Sequence, residues 1–172
     1  DQGIKKRAMA AHSHAHGEDH HGEDHHANGP MLDPHIWLSP KSVKSQARTM
    51  LKALSQADPA GKDFYKANYQ AFAEKIDELN RKLREMLKDK HGMQFMVFHP
   101  SWGYFARDFG LVQIPVEVMG KSPKPAQLKA LIQHAREKKI RVVFVQPQFS
   151  AKAAALVAKE INGRVVTADP LN

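Results

Sequence analysis

The chain has 172 residues, 42% of them hydrophobic, no cysteine and a formal net charge of +8. This length suits one domain or one lobe of something larger, and the apolar content suffices for a core. Without cysteine, thiolate zinc sites are excluded and any metal site must draw on His, Asp, Glu and water. No uncharged apolar run approaches the roughly 20 residues of a membrane span.

The charge is uneven. Residues 1–35 hold three Lys/Arg against six Asp/Glu, a net of −3, which leaves +11 on the remainder. A basic body of this kind is compatible with nucleic acid or an anionic surface. The basic residues are scattered, however, and no aromatic–basic motif of an RNA- or DNA-binding fold occurs. Solvated faces of lysine-rich helices account for the charge.

The chain opens with Asp1-Gln2-Gly3-Ile4-Lys5-Lys6-Arg7, without an initiator Met or a signal peptide. It stops at Asp169-Pro170-Leu171-Asn172, directly after an apolar run. Both ends are read as cuts in a longer protein. Residues 12–29 are low in complexity: Gly17-Glu18-Asp19-His20-His21 recurs as Gly22-Glu23-Asp24-His25-His26. Seven of the eleven histidines lie here, at His12, His14, His16, His20, His21, His25 and His26. With almost no apolar side chains this stretch cannot offset its ordering entropy by burial, so it is expected to be a disordered loop. Neutral imidazole is the commonest protein metal ligand, and the tract reads as a weak metal-gathering segment. Its affinity should fall below about pH 6, where protons compete for the rings.

Ser39-Pro40 opens a helical pattern, with Ser39 as cap and Pro40 in the first turn, running to about Leu54 before Asp58-Pro59 breaks it. A second helix is predicted from about Pro59 to Lys90. Its apolar residues Tyr65, Tyr69, Phe72, Ile76, Leu79, Leu83 and Met86 step alternately by four and three, the spacing of one continuous buried seam. Such a helix, on the order of 45 Å long, would act as a stiff strut. His91-Gly92 ends it.

The pattern then changes. Strands are predicted at 94–98, 112–118, 141–145 and 164–168, and helices at 101–109, from Ser122-Pro123-Lys124-Pro125 to about Lys139, and from a Ser150 cap to about Ile161. The third strand, Arg141-Val142-Val143-Phe144-Val145, is expected to be buried on both faces. Strands alternating with helices imply an α/β fold: a parallel sheet with flanking helices, preceded by a long rigid linker helix. In such sheets ligands bind beyond the carboxyl ends of the strands. His99 falls just past the first strand, Gln146 past the third and Asp169 past the fourth.

Four residues carry the candidate chemistry. His35, in Asp33-Pro34-His35-Ile36-Trp37, follows a proline that limits the backbone and pre-aims its ring. His99, in Phe98-His99-Pro100-Ser101-Trp102, lies between an apolar strand and an aromatic helix start. Asp169 offers an oxygen ligand, although an Asp-Pro turn explains it equally well. Gln146 is uncharged and suits a supporting hydrogen bond. His91 and His134 are expected to be ordinary surface residues, and Trp37, Trp102 and Tyr104 to be packing groups.

At this point the chain resembles a known family. Asp33-Pro34-His35-Ile36-Trp37-Leu38-Ser39-Pro40 looks like the signature of metal-binding solute-binding proteins of ABC importers, the ZnuA-like branch of cluster A-I. Val97-Phe98-His99-Pro100-Ser101-Trp102-Gly103-Tyr104-Phe105 resembles its second signature, and Phe144-Val145-Gln146-Pro147-Gln148-Phe149-Ser150 and Asp169-Pro170-Leu171 match later landmarks. A His- and acid-rich loop ahead of the first signature is typical of the zinc-importing branch.

The resemblance implies two α/β lobes joined by a long helix, with the metal between them. It implies His35, His99 and Asp169 as ligands of Zn²⁺, with Mn²⁺ as the alternative; histidine at position 99 favours zinc. The implied function is high-affinity zinc binding outside the cytoplasm, in the periplasm or on a lipid anchor, and delivery to a membrane permease, with no catalysis. The family supplies a further histidine from its first lobe, and no matching segment precedes His12. The final strand and helices beyond Asp169 are also lacking, and Gln146 stands where the family usually has glutamate. The expected organisation is therefore a first-lobe remnant at 1–11, the loop at 12–29, a ligand turn and helix at 30–58, the linker helix at 59–91 and a truncated C-terminal lobe at 92–172. A zinc hydrolase is the competing reading. It needs an open water position and a general base, and neither a His-Glu-x-x-His motif nor a base beside His99 is visible.

Overall fold

A computed structural model describes residues 3–9, 31–117, 120–149 and 152–171. The His-rich tract and Ser150 lie outside the described residues. Those described fall into two compact units, one drawn from residues 3–6, 34–94 and 101–112, the other from 7–9, 31–33, 95–100, 113–117, 120–149 and 152–171.

The first unit is helical. A 3-10 turn, Ile36–Leu38, leads into α1, Pro40–Ala57. Ser39 caps α1 as expected: its hydroxyl accepts from the Ser42 N–H at 3.1 Å, and Pro40 occupies the first turn, where its missing N–H costs nothing. The same hydroxyl donates to Asp108 on α3, Gly103–Phe109. Helix α2, Lys62–Leu87, has 26 residues and is therefore about 39 Å long.

The seam on α2 departs from expectation. Phe72, Leu79 and Met86 are 42%, 46% and 73% exposed. The covered stripe instead follows Tyr65, Tyr69, Ala73, Ile76, Asn80, Leu83 and Leu87, and Ala73 alone is fully buried. Both stripes satisfy the 3.6-residue period. The neighbour, α1, covers one of them and leaves Phe72, Leu79 and Met86 on the outer side.

Gly110 stops α3 in the left-handed conformation, φ +68°, and its N–H bonds back to Ala106 and Arg107. Only a glycine adopts this cap without steric cost. A Cβ there would also stand 2.4 Å from Cδ2 of His91.

The second unit carries the sheet, save the first residues of β1 and β2: β1 Gln94–Val97, β2 Val112–Pro115, β3 Val142–Val145 and β4 Arg164–Thr167, in the order β2-β1-β3-β4. β1 pairs with β3, and β3 with β4, in parallel. The N–H groups of Val112, Val116 and Glu117 reach the carbonyls of Met93, Val97 and Phe98 in turn, so β2 runs parallel as well. The predicted second strand is thus shortened: the ladder proper ends at Pro115, and Val116 and Glu117 continue it on one side only. Helices α4, Pro125–Glu137, and α5, Lys152–Glu160, complete the α/β lobe. The core gathers Met96, Val116, Leu131, Ala135, Val143 and Val157, each at most 2% exposed. On β3, Val143 and Val145 are buried, whereas Val142 and Phe144 are half-covered, so burial on both faces is only partial.

From β1 the chain turns towards β2, and from β3 it turns the other way, towards β4. The carboxyl ends of β1 and β3 therefore flank a topological switch point, where parallel sheets open a crevice for ligands.

Candidate metal centre

His99 stands at that switch point, two residues beyond β1. Its peptide is held by Gln146, which follows β3: the Gln146 amide donates to the His99 carbonyl at 3.1 Å and accepts from the His99 N–H at 3.4 Å. Gln146 is 2% exposed. The supporting role expected of it therefore acts on the backbone of residue 99.

The imidazole is fixed separately. Phe149 stacks on its face with centroids 5.1 Å apart and planes 18° from parallel, and Phe98 packs against Phe149 in turn. The Nδ1 atom lies 2.6 Å from Oε1 of Glu117. Glu117, two residues beyond β2, has a side chain only 3% exposed, and its Oε2 is buried with no hydrogen-bond partner among the described residues. Sequence reasoning missed this residue. The available signal was an acid inside the apolar run Val112–Val118, at the end of a strand that flanks the first one.

Asp169 lies two residues beyond β4, and its Oδ1 accepts from the Leu171 N–H at 2.9 Å. This is the turn geometry Asp-Pro sequences favour, and it occupies one of the two carboxylate oxygens.

His35 belongs to the helical unit. It is 9% exposed and packs edge-on against Trp37, centroids 5.3 Å apart. The Ile36 N–H closes a tight turn onto the Pro34 carbonyl at 2.7 Å, so the ring leaves a backbone with little freedom. Asp33 is buried and pairs with Arg7 in a structural ion pair. His91 lies against Gly110 at the end of α3, a packing role.

Among the described residues, no three of His, Asp or Glu are gathered closely enough to hold a metal ion. The seven histidines from His12 to His26 lie outside those residues. No described helix is long and apolar enough to cross a membrane.

The described residues thus form a parallel α/β lobe with an oriented imidazole at its switch point, the place where such sheets bind ligands. The family description "Zinc-uptake complex component A periplasmic" (ZnuA) matches residues 1–172. The chain belongs to the ZnuA family. It is 28% identical over 135 residues to the high-affinity zinc uptake system protein ZnuA of Bacillus subtilis, covering 77% of this chain and 42% of that protein. A crystal structure of a ZnuA superposes with a TM-score of 0.80 at 47% identity, covering 83% of this chain and 56% of the other. A zinc-bound ZnuA deletion mutant superposes with a TM-score of 0.83 at 42% identity, covering 99% and 60%. The chain thus spans about half the length of the relatives it matches.

Proposed function

We propose that the protein is the zinc-binding component of an ABC-type importer, that it works in the periplasm or tethered outside the cytoplasm, and that it passes Zn²⁺ to a membrane permease without catalysing a reaction. The observation that carries this reading is His99: an imidazole at the mouth of a parallel sheet, held by its backbone, its ring face and one ring nitrogen. Membership of the ZnuA family supports the choice of cargo.

In this reading His35, His99 and Asp169 supply ligands. Two imidazoles and one carboxylate suit Zn²⁺ better than a hard oxygen-seeking cation, and they favour zinc over manganese. The tract from His12 to His26 gathers further ions weakly. A buried, pre-aimed ring loses little entropy on ligation, whereas imidazoles in a polar tract must be ordered first.

Titration calorimetry of the intact protein with Zn²⁺ and with Mn²⁺ tests this. One tight Zn²⁺ site and several weak ones are expected. His99→Ala should weaken the tight site by at least about a hundredfold, and His35→Ala comparably, while deletion of residues 12–26 should remove only the weak sites. Loss of tight binding on that deletion, with His35→Ala/His99→Ala unaffected, would overturn the assignment.

A further inference from the structure

We infer that Glu117 is a positioning residue for the cargo ion: its carboxylate holds the proton of His99 on Nδ1 and so makes Nε2 the ligating nitrogen. This rests on the zinc reading above and adds to it the residue that sets the donor atom.

Neutral imidazole exists as two tautomers, and only the nitrogen without the proton can bind a metal. Oε1 of Glu117 stands 2.6 Å from Nδ1. An ionised carboxylate only accepts hydrogen bonds, so at this distance it requires a proton on Nδ1. Ligation then falls to Nε2. A carboxylate behind a histidine also raises the basicity of the nitrogen facing the metal.

Two further observations separate this from an incidental surface pair. Glu117 is buried beside the apolar core of the lobe, where a carboxylate is costly unless it is hydrogen-bonded. Its second oxygen is buried and without a hydrogen-bond partner among the described residues, so the side-chain bond the carboxyl makes there is the one to His99. Parallel pairing of β1 with β2 sets the distance: the Glu117 N–H bonds to the Phe98 carbonyl at 3.2 Å, which brings residues 99 and 117 side by side. Phe149 stacks on the face of the ring and lies nearly parallel to its plane.

The test combines long-range ¹⁵N–¹H NMR of the histidine rings with Zn²⁺ titration, on the intact wild-type protein and on Glu117→Gln. Metal-free wild type should show His99 protonated on Nδ1 alone. Glutamine keeps the shape but presents both a donor and an acceptor, so the Nε2-protonated form should become populated and Zn²⁺ affinity should fall about 10- to 100-fold. Wild-type His99 protonated on Nε2 would overturn the inference, and this result does not depend on the variant folding. So would a folded Glu117→Gln with unchanged tautomer and unchanged affinity beside a tightly binding wild type. Wild type without zinc affinity would overturn the zinc reading itself, while the tautomer comparison would still decide what Glu117 does to His99.

Discussion

Gln146 clasps the peptide of His99 from both sides, donating to its carbonyl and accepting from its N–H. The clasp joins the turns after β1 and β3, neighbouring strands that the chain leaves in opposite directions. Glutamate at this position keeps the acceptor and loses the donor, so the bond to the part-buried His99 carbonyl is lost. Gln146→Glu should therefore destabilise the protein by about 1–3 kcal/mol, read from urea midpoints, and weaken Zn²⁺ binding through a looser residue 99. Unchanged stability would show that the turn holds itself.

Gly110 and His91 make a second close relationship. Gly110→Ala places a side chain at φ +68° and drives its Cβ into the His91 ring. The backbone part should cost about 1–2 kcal/mol, and the collision should add to it. Gly110→Ala combined with His91→Ala removes the collision and leaves the strain. Thermal melts of the single and double variants should therefore differ by a coupling energy that favours the pair.

The outer stripe of α2 offers a direct comparison. Met86 is 73% exposed and Met96 fully buried. Met86→Ala should change stability by no more than about 0.5 kcal/mol, whereas Met96→Ala should cost about 2–5 kcal/mol. Denaturant unfolding distinguishes the two, and equal costs would restore the seam expected from the apolar spacing.

At the start of α2, the Tyr65 hydroxyl donates to Asp58 at 2.8 Å and the Gly61 N–H to the other oxygen at 3.2 Å. The Tyr65 bond, seconded by Gly61, holds the Asp58 carboxyl below its usual range, and the same bond raises the Tyr65 phenol. A lowered acid stabilises the fold above its unfolded pKa of about 4, and that contribution is lost as pH falls through the lower folded value. The raised phenol contributes below about pH 10, and its contribution is lost as pH rises through its folded value. Tyr65→Phe should shift the Asp58 titration upward, measured by carboxyl ¹³C NMR, and remove the alkaline effect.

Much of the fold was legible along the chain. Every predicted strand and helix lies over an observed element, because hydrophobic period, Pro and Gly punctuation and Ser39 as a cap act within a few residues of one another. The end of the second strand was overestimated at Val116 and Glu117, since apolar character runs on past Pro115. The stripe of α2 that is covered could not be read: spacing shows that a helix has an apolar side, but the position of α1 decides which edge of that side is shielded.

The chain alone determined that metal chemistry would have to come from imidazole and carboxylate, because it contains no thiol, and it marked His35 and His99 as candidates by local framing and Asp169 by its place past the fourth strand. Tertiary structure decided how His99 is held. Glu117, Gln146 and Phe149 lie 18, 47 and 50 positions away in sequence, and only the order β2-β1-β3-β4 with its parallel registers carries them to one imidazole. Local propensity extends over a turn or two of backbone, whereas strand order is set by which apolar faces can be buried together, a property of the whole lobe.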